Sequence, residues 1–226
     1  MNLTLKSKAQ LIDNVWSFVF DAHPAQTWTA GQYIQVELPH DDPDAEGTKR
    51  FFTVSGAPFE KHIQITTRIT STTFKQALAN LAVGAELKLL LSPEGDFVWR
   101  ESDKPRVFVA AGIGITPYRS MLAERNHNQE TLDVTLIYAN RSDAIPFREE
   151  LDAIAAAHPE FKINYITGLV TPDRLTETDP DILGKLIYIS GPEPMVEALG
   201  DGLRGLGLPE DQLIQDFFPN YNESNF

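Results

Sequence analysis

The chain has 226 residues, of which 42% are hydrophobic, and a formal net charge of −13 at pH 7. This size allows one large domain or two modest ones, and the acidic charge argues against general binding to nucleic acid or to anionic membranes. Because the chain has no cysteine, it cannot carry disulfides, thiolate zinc sites or cysteine-ligated iron–sulfur clusters. No signal peptide is visible and no apolar run is long enough to span a bilayer, so we expect a cytoplasmic protein without membrane insertion.

The N-terminal part of the chain is predicted to form antiparallel β-strands. The segments NLTLKS, YIQVELP and HIQITTRIT alternate apolar and polar residues, and turn-forming residues separate them. In the third segment we expect the isoleucines on one face and Gln64, Thr66 and Arg68 on the opposite, polar face.

One short helix interrupts these strands. The segment TTFKQALANL begins with Thr72 and Thr73, either of which suits the N-cap, and Gly84 follows as a closing residue. Four apolar residues recur at helical spacing and share one face: Phe74, Ala77, Leu78 and Leu81. A small antiparallel barrel with one short helix fits this part of the chain.

After the polar segment ESDKP (101–105) the rhythm changes. The apolar strands RVFVAA, DVTLIYAN, KINYITG and KLIYISG alternate with predicted helices in PFREELDAIAAAHP and PEPMVEALGDGLRGLG. Such alternation predicts a parallel sheet covered by helices on both faces. The last helix is expected to turn these side chains inward: Met195 or Val196, Leu199, Leu203 and Leu206. We therefore predict two domains, 1–102 and 103–226.

The segment VFVAAGIGITPYRS contains the strongest local motif. A buried strand is followed by Gly112 and Gly114, and then by Thr116 and Pro117, which suit the N-cap and first turn of a helix. Glycines allow a ligand to approach the backbone closely, and a helix N-terminus offers free N–H groups to an anion such as a dinucleotide pyrophosphate. A third glycine is missing from the dinucleotide-binding motif, so a simple strand-to-helix turn remains the alternative.

The segment YISGPEPM (188–195) repeats this arrangement at a later strand. The strand ends at Ser190 and Gly191, and Pro192 and Pro194 fix the entry to a helix. Together with GIGITP, this segment predicts two ligand-facing turns at the same edge of one sheet.

The segment KRFFTVSGAP (49–58) places an arginine, two phenylalanines and a threonine at the end of a strand. It suits either an edge strand with an extended arginine or a flat ligand that bears phosphate, because guanidinium binds diphosphate and aromatic rings stack on flat rings. Strict alternation sends Phe52 and Thr53 to opposite faces, so both can serve one ligand only if the strand bends or ends there.

RFFT, GIGITP and SGPEPM, in this order and spacing, resemble the ferredoxin–NADP reductase superfamily over essentially the whole chain. The resemblance implies a flavin-binding Greek-key β-barrel followed by a Rossmann-like NAD(P)-binding α/β domain. It also implies that Arg50 pairs with the flavin pyrophosphate, that Phe52 lies against the isoalloxazine, and that Thr53 hydrogen-bonds near its N5 atom. A second phosphate contact is implied at Thr72 or Thr73.

The resemblance further implies catalytic roles for Thr53, Ser190 and Asp216. Ser190 stands where many members have cysteine, and Asp216 replaces the usual glutamate near the C-terminus. An aromatic residue, Tyr221 or Phe226, would cover the flavin face where nicotinamide must stack. The full set of candidate cofactor-binding residues is Arg50, Phe51, Phe52, Thr53, Thr66, Arg68, Thr72, Thr73, Gly112, Gly114, Ile115, Thr116, Arg141, Gly191, Pro192 and Tyr221.

The function that this resemblance implies is that of an FAD-dependent NAD(P)H oxidoreductase, with FAD preferred over FMN and a separate electron acceptor. The acceptor would be a redox protein, such as ferredoxin or flavodoxin, or a small molecule. The alternative is a non-catalytic flavin- or nucleotide-binding subunit for electron transfer or sensing. No histidine spacing suggests a metal site.

One arginine and a set of four other cations are each open to more than one interpretation. Arg141 follows the strand DVTLIYAN, where it could meet the 2′-phosphate of NADPH or simply stand at a helix entry. Four other cations could form a local basic patch for an acidic partner, or could be scattered in solvent: Lys49, Arg50, Arg68 and Lys75.

Overall fold

The computed structural model describes residues 1–23 and 25–218. These residues fall into two units, the first made of Met1–Trp99 with Thr116–Glu124, and the second of Arg100–Ile115 with the described residues from Arg125 onward. The predicted boundary between residues 102 and 103 stays a prediction. No helix in the described part of the chain is long and apolar enough to cross a membrane.

The first unit contains a six-stranded antiparallel sheet. Its strands are β1 (Asn2–Ile12), β2 (Val15–His23), β3 (Tyr33–Glu37), β4 (Lys49–Thr53), β5 (Ile63–Arg68) and β6 (Glu86–Glu94). They lie in the order β4-β3-β6-β1-β2-β5. Just after β4, Val54 forms an isolated antiparallel bridge to Ile65 of β5, which brings the two outer strands together. The sheet is therefore barrel-like without closing fully, and the predicted antiparallel barrel is confirmed.

The interior of this sheet is filled by the apolar face of alternating strand residues and by one helix. Leu3 and Leu5 of β1, and Ile34 and Val36 of β3, are buried in one core cluster. The helix α1 (Thr73–Asn80) adds Phe74 and Leu78 to the same cluster. The short helix predicted from apolar spacing is confirmed, since its ridge packs into the barrel.

Gln64 and Thr66, on the polar face of β5, are both buried. The Thr66 hydroxyl is 2.6 Å from the Ser17 hydroxyl on β2 and 2.8 Å from the Ser55 hydroxyl just after β4. Hydroxyls from neighbouring segments satisfy one another, so this face can be buried without orphaned polar groups.

The start of helix α2 (Thr116–His127) is tied to the segment that follows β4. Arg119 donates to the Ser55 carbonyl at 3.1 Å, and Ser120 donates to the Gly56 carbonyl at 2.8 Å. Arg119 also forms a two-pronged ion pair with Glu60, with N–O distances of 2.5 and 2.9 Å. These bonds help to keep the hydroxyl-bearing segment away from solvent.

The second unit contains a five-stranded parallel sheet in the order β11-β10-β7-β8-β9. Its strands are β7 (Arg106–Ala111), β8 (Val134–Asn140), β9 (Lys162–Thr167), β10 (Leu186–Pro192) and β11 (Leu213–Phe218). Three helices accompany them: α3 (Arg148–Ala157), α4 (Pro172–Thr178) and α5 (Glu193–Gly205). The parallel α/β arrangement is confirmed, although neither α4 nor the edge strand β11 is predicted from the sequence.

Helix α5 packs against this sheet mostly as predicted. Val196, Leu199 and Leu203 are buried in the core of the second unit, and Met195 packs partly against it. Leu206 does not point inward as expected, because the helix ends at Gly205 and the side chain beyond it is 47% exposed.

Candidate functional site

Arg50 lies on β4 with its side chain folded over the barrel interior. Its guanidinium carbon is 5.0 Å from the centre of the Phe74 ring. The Nη2 atom forms ion pairs with Glu46 at 3.0 Å and Asp44 at 3.5 Å. The Nη1 atom donates to three backbone carbonyls, those of Glu46, Gly47 and Lys49. The predicted phosphate-binding cation is therefore surrounded by acceptors from residues 44–49, which precede it in the chain.

The N-terminus of α1 meets the same segment. The backbone N–H of Thr73 donates to Asp44 Oδ2 at 3.0 Å, and the Asp44 N–H donates back to the Thr73 hydroxyl at 3.0 Å. The first of these bonds is the main reason why the pKa of Asp44 lies below its ordinary value. Thr72 occupies the N-cap position, but its side chain makes no capping hydrogen bond. Asp44 caps the helix instead, from a distant part of the sequence.

Arg50 and Thr73 thus converge on one carboxylate group. A guanidinium and the free N–H of a helix N-terminus are donors that bind anionic oxygen, whether carboxylate or phosphate. Because the Asp44 carboxylate contacts both donors, it acts as a stand-in for an anion at this place. The chemistry of the donor set fits the diphosphate of a dinucleotide flavin.

The three residues after Arg50 differ in exposure. Phe52 is buried, with its ring centre 6.0 Å from that of Phe74 and 4.7 Å from the Lys75 Nζ atom. Phe51 is 52% exposed and packs edge-on against Tyr33 at 5.7 Å. Thr53 is buried next to the strand end. Burial does not alternate at the end of β4, since Phe52 and Thr53 are both buried, and Phe51 is the exposed ring of the pair. Flavin contact by either phenylalanine stays a prediction.

The candidates on β5 have partners elsewhere. Thr66 belongs to the hydroxyl cluster with Ser17 and Ser55, and Arg68 donates to the Asn14 side-chain oxygen at 2.5 Å. The cofactor contacts predicted for Thr66 and Arg68 stay predictions. Of the four cations that could form a basic patch or be scattered in solvent, Lys75 does neither, because its side chain is buried against Phe52.

In the second unit, the two glycine turns lie against each other at the carboxyl edge of the parallel sheet. Strands β7 and β10 are neighbours, with Ala110 opposite Ser190. A side-chain carbon added at Gly114 would lie 2.3 Å from the Ser190 carbonyl oxygen. Gly112 has a φ angle of +51°, and its carbonyl accepts a 2.9 Å bond from the Tyr138 hydroxyl. The two glycines are therefore required by the packing of the turns themselves.

The remaining candidates at this edge are largely buried. Gly191 could not carry a side-chain carbon without approaching Met195 Cε to 2.7 Å. Ile115 and Pro192 are buried beside these turns, and Thr116, which opens α2, is 2% exposed. Their contacts with a nucleotide stay predictions.

Ser190 and Asp216 are brought together by the pairing of β10 with β11, where they lie opposite each other. The Ser190 hydroxyl donates to Asp216 Oδ2 at 3.3 Å. Desolvation raises the pKa of Asp216 to about 6, and the hydrogen bond from Ser190 opposes this rise. Two of the three predicted catalytic residues thus form a pair whose carboxyl group can hold or release a proton near neutral pH.

The end of β8 carries the group predicted to distinguish the two nicotinamide nucleotides. Arg141 follows the strand with an exposed side chain. Next to it, the buried amide nitrogen of Asn140 has no hydrogen-bond partner among the described residues. Asp143 accepts a 3.1 Å bond from the Thr167 hydroxyl. A cation, an unused donor and a carboxylate therefore cluster along this edge, of which only the cation is predicted from the sequence.

Two further predictions lie beyond the part that the structure describes. Tyr221 and Phe226, the proposed aromatic covers, fall outside the described residues. Among residues 1–23 and 25–218, no group of three His, Asp or Glu side chains is placed to hold a metal ion.

Comparison with known proteins matches the C-terminal part of the chain to a described family. Residues 108–201 match the family described as the oxidoreductase NAD-binding domain. The flavohemoprotein of Pseudomonas putida is 31% identical over 95% of this chain and 58% of its own length. The ferredoxin reductase component of the 3-ketosteroid-9-alpha-monooxygenase of Mycolicibacterium smegmatis is 28% identical over 88% of this chain and 58% of its own length.

Solved structures extend the match to the fold of both units. The flavohem-like FAD/NAD-binding domain of nitric oxide dioxygenase from Vibrio cholerae aligns with a TM-score of 0.83 and 22% identity, covering 96% of this chain and 98% of its own. Ferredoxin-NADP+ reductase from Plasmodium falciparum aligns with a TM-score of 0.83 and 14% identity, covering 96% and 95%. The chain therefore shares the two-domain fold of the ferredoxin–NADP reductase superfamily.

The chain spans 50–58% of the length of the first curated relatives it matches. Its superfamily motifs lead directly to Arg50, Ser190 and Asp216. They do not lead to Asp44 or Glu46, because the acidic segment HDDPDAEG looks in the sequence like a simple turn. An acidic run shortly before a motif arginine is the signal that could have indicated them.

Proposed function

We propose that this chain is an FAD-dependent NAD(P)H oxidoreductase that delivers electrons to a separate acceptor. The observation that carries the proposal is the convergence of Arg50 and the Thr73 N–H on one anionic group, in a chain whose residues 108–201 match an NAD-binding oxidoreductase domain. A bound flavin would supply the redox chemistry, namely hydride uptake from a nicotinamide and release of electrons one or two at a time.

On the flavin side, the chain would supply binding and orientation. Arg50 would hold the diphosphate by charge-assisted hydrogen bonds, and the Thr73 N–H would add a neutral donor at the helix N-terminus. The half-exposed ring of Phe51 offers a face for stacking, and Thr53 offers a short polar group at the end of β4. FAD is preferred over FMN because one similar structure is named as an FAD/NAD-binding domain and another as a flavohemoglobin with bound FAD.

On the nucleotide side, the turns around Gly112–Ile115 and Gly191 would receive NAD(P)H. Below about pH 6 the Asp216 carboxyl group would carry a proton, and above about pH 6 it would be a carboxylate that can accept one. The hydrogen bond from Ser190 would fix its orientation. Arg141 favours the 2′-phosphate of NADPH, whereas Asp143 favours the free ribose hydroxyl of NADH. Either nucleotide is therefore a candidate hydride donor.

The electron acceptor is proposed only as a class. Two relatives are named as a ferredoxin reductase component and a cytochrome P450 reductase, which supports a redox protein as acceptor. With a net charge of −13, the chain should dock more slowly with an acidic acceptor at low ionic strength than at high ionic strength.

The proposal is tested by reconstitution. The purified chain is incubated with FAD or FMN, freed of unbound flavin, and mixed with NADH or NADPH and an artificial acceptor such as ferricyanide. We expect flavin-dependent oxidation of at least one nucleotide. Flavin retention without oxidation of either nucleotide would favour the non-catalytic carrier, and the absence of any flavin binding would remove the proposal.

A further inference from the structure

We propose that Asp44 is an internal competitor of the flavin phosphate: its carboxylate holds Arg50 and the α1 N-terminus, and a phosphate-bearing flavin binds only when it leaves. This inference rests on the proposed flavin site. It concerns the affinity of that site and the way in which flavin enters and leaves it.

Asp44 occupies the donors that the flavin phosphate needs, the Thr73 N–H and the Arg50 guanidinium. Its two oxygens accept hydrogen bonds from the Thr73 N–H at 3.0 Å and the Glu46 N–H at 3.0 Å, and they pair with Arg50 at 3.5 Å. A phosphate oxygen that took the Thr73 N–H would have to replace the Asp44 carboxylate, because this backbone group has one hydrogen to donate.

The carboxylates around Arg50 also oppose the approach of a diphosphate. Arg50 carries one positive charge, and Asp44 and Glu46 together place two carboxylates on its Nη2 atom at 3.5 and 3.0 Å. An incoming diphosphate would meet a cluster that is already overcompensated, and like charges at such distances repel strongly. The Arg50 Nη1 atom is also engaged, by three backbone carbonyls. Arg50 thus offers no free donor pair until Asp44 and Glu46 move.

Asp44 lies on a surface segment that Arg50 itself holds, through the Glu46 and Gly47 carbonyls and the Glu46 carboxylate. Asp41, Asp42 and Glu46 are exposed. Asp42 and Gly47 adopt positive φ angles of 49° and 69°, so the segment consists of tight turns rather than a strand. Beyond the Asp44 contacts, its link to α1 is the His40 ring, 3.0 Å from the Thr73 hydroxyl. Because Asp44 lies between β3 and β4, its release would rearrange this segment and its contacts with Arg50 and not the barrel strands.

A consequence distinguishes this competition from a general defect in flavin binding. The penalty applies to flavins that carry phosphate, FAD and FMN, and not to riboflavin, which has the same ring system without phosphate. Wild-type protein should therefore release FAD and FMN readily. The difference between its affinities for these two flavins and for riboflavin should be smaller than for a site whose arginine is free to bind phosphate.

The test compares wild type with Asp44→Asn and with the matched control Asp41→Asn. Asparagine keeps a side-chain oxygen for the Thr73 N–H but removes the charge, whereas Asp41 contributes the same charge to an exposed turn position. Dissociation constants for FAD, FMN and riboflavin are measured by flavin fluorescence. For Asp44→Asn we expect FAD and FMN to bind about tenfold more tightly, with riboflavin unchanged. Asp41→Asn should change all three by less than about twofold.

The competition is overturned if Asp44→Asn binds FAD no more tightly than wild type, or if riboflavin gains as much as FAD. Failure of the proposed function has a different signature, in which no variant binds any flavin. In that case inorganic pyrophosphate replaces flavin, and its effect on the melting temperature is measured. A larger stabilisation of Asp44→Asn than of wild type still supports the competition, and equal effects overturn it.

Discussion

Asp216 is a carboxyl group that the fold holds in an unfavourable environment. Its pKa rises from 3.8 to about 6 because burial removes water from the charged form. Between these two values the folded state binds the proton more strongly than the unfolded state does. The stabilisation is therefore fully present below about pH 4 and is lost as pH rises towards 6, by up to about 3 kcal/mol.

Replacing Asp216 by asparagine should remove this loss. In urea unfolding at pH 4 and pH 7, the difference in free energy of unfolding between the two pH values should be smaller for Asp216→Asn than for wild type, by about 2–3 kcal/mol. Leu213→Val, a change on the same strand without a charge, is the control and should keep the wild-type difference. An identical pH dependence in wild type and Asp216→Asn would show that Asp216 has an ordinary pKa.

For single residues, the kind of group that a side chain binds is easier to predict from the sequence than the residue that supplies it. The motif around Arg50 pointed to an anion, and the structure shows the guanidinium bound to anions, although these are the chain's own carboxylates. The link between Asp44 and Thr73 could not be predicted, because the two residues are 29 positions apart and no local periodicity connects them. The same holds for Ser190 and Asp216, which meet only through a strand pairing.

At the scale of elements, the turns between strands and helices are the most constrained parts of the second unit. Gly114 lies so close to the end of β10 that a methyl group there would fall 2.3 Å from the Ser190 carbonyl oxygen. Backbone on both sides leaves little room to adjust. The close packing of GIGI against the end of β10 therefore depends on this glycine.

Gly114→Ala should destabilise the protein by about 1–3 kcal/mol because of this overlap. Gly184→Ala is the matched control: nothing lies within 4 Å of its added carbon, so it should change stability by less than about 0.5 kcal/mol. The measurement is chemical denaturation of both variants beside wild type. Equal stability of the two variants would contradict the packing described here.

Elements with a strong period were predictable, and those without one were not. The alternation in β1 and β3 and the apolar ridge of α1 correspond to faces that are in fact buried. The burial of Thr66 was missed because hydroxyls from β2 and from the segment after β4 replace solvent as its partners. The edge strand β11 was missed because its sequence, LIQDFF, is short and does not alternate cleanly.

For the whole molecule, the change of rhythm near residue 101 predicted two structural classes in one chain, and the two sheets have those classes. The charge distribution was harder to foresee. Lys75 is buried and Arg50 is paired with carboxylates, so neither gives the surface of this chain, with its net charge of −13, a free solvated cation. Long-range charge is thus expected to act mainly on docking with the acceptor.

We propose that a hydride passes from a nicotinamide to a flavin held by this chain. The most direct test is the anaerobic addition of NADH, and separately of NADPH, to FAD-loaded protein while the visible flavin absorbance is recorded. We predict that at least one of the two nucleotides bleaches the flavin, and that admission of oxygen or an artificial acceptor restores the colour. A fully loaded protein that keeps its colour with both nucleotides would contradict the claim.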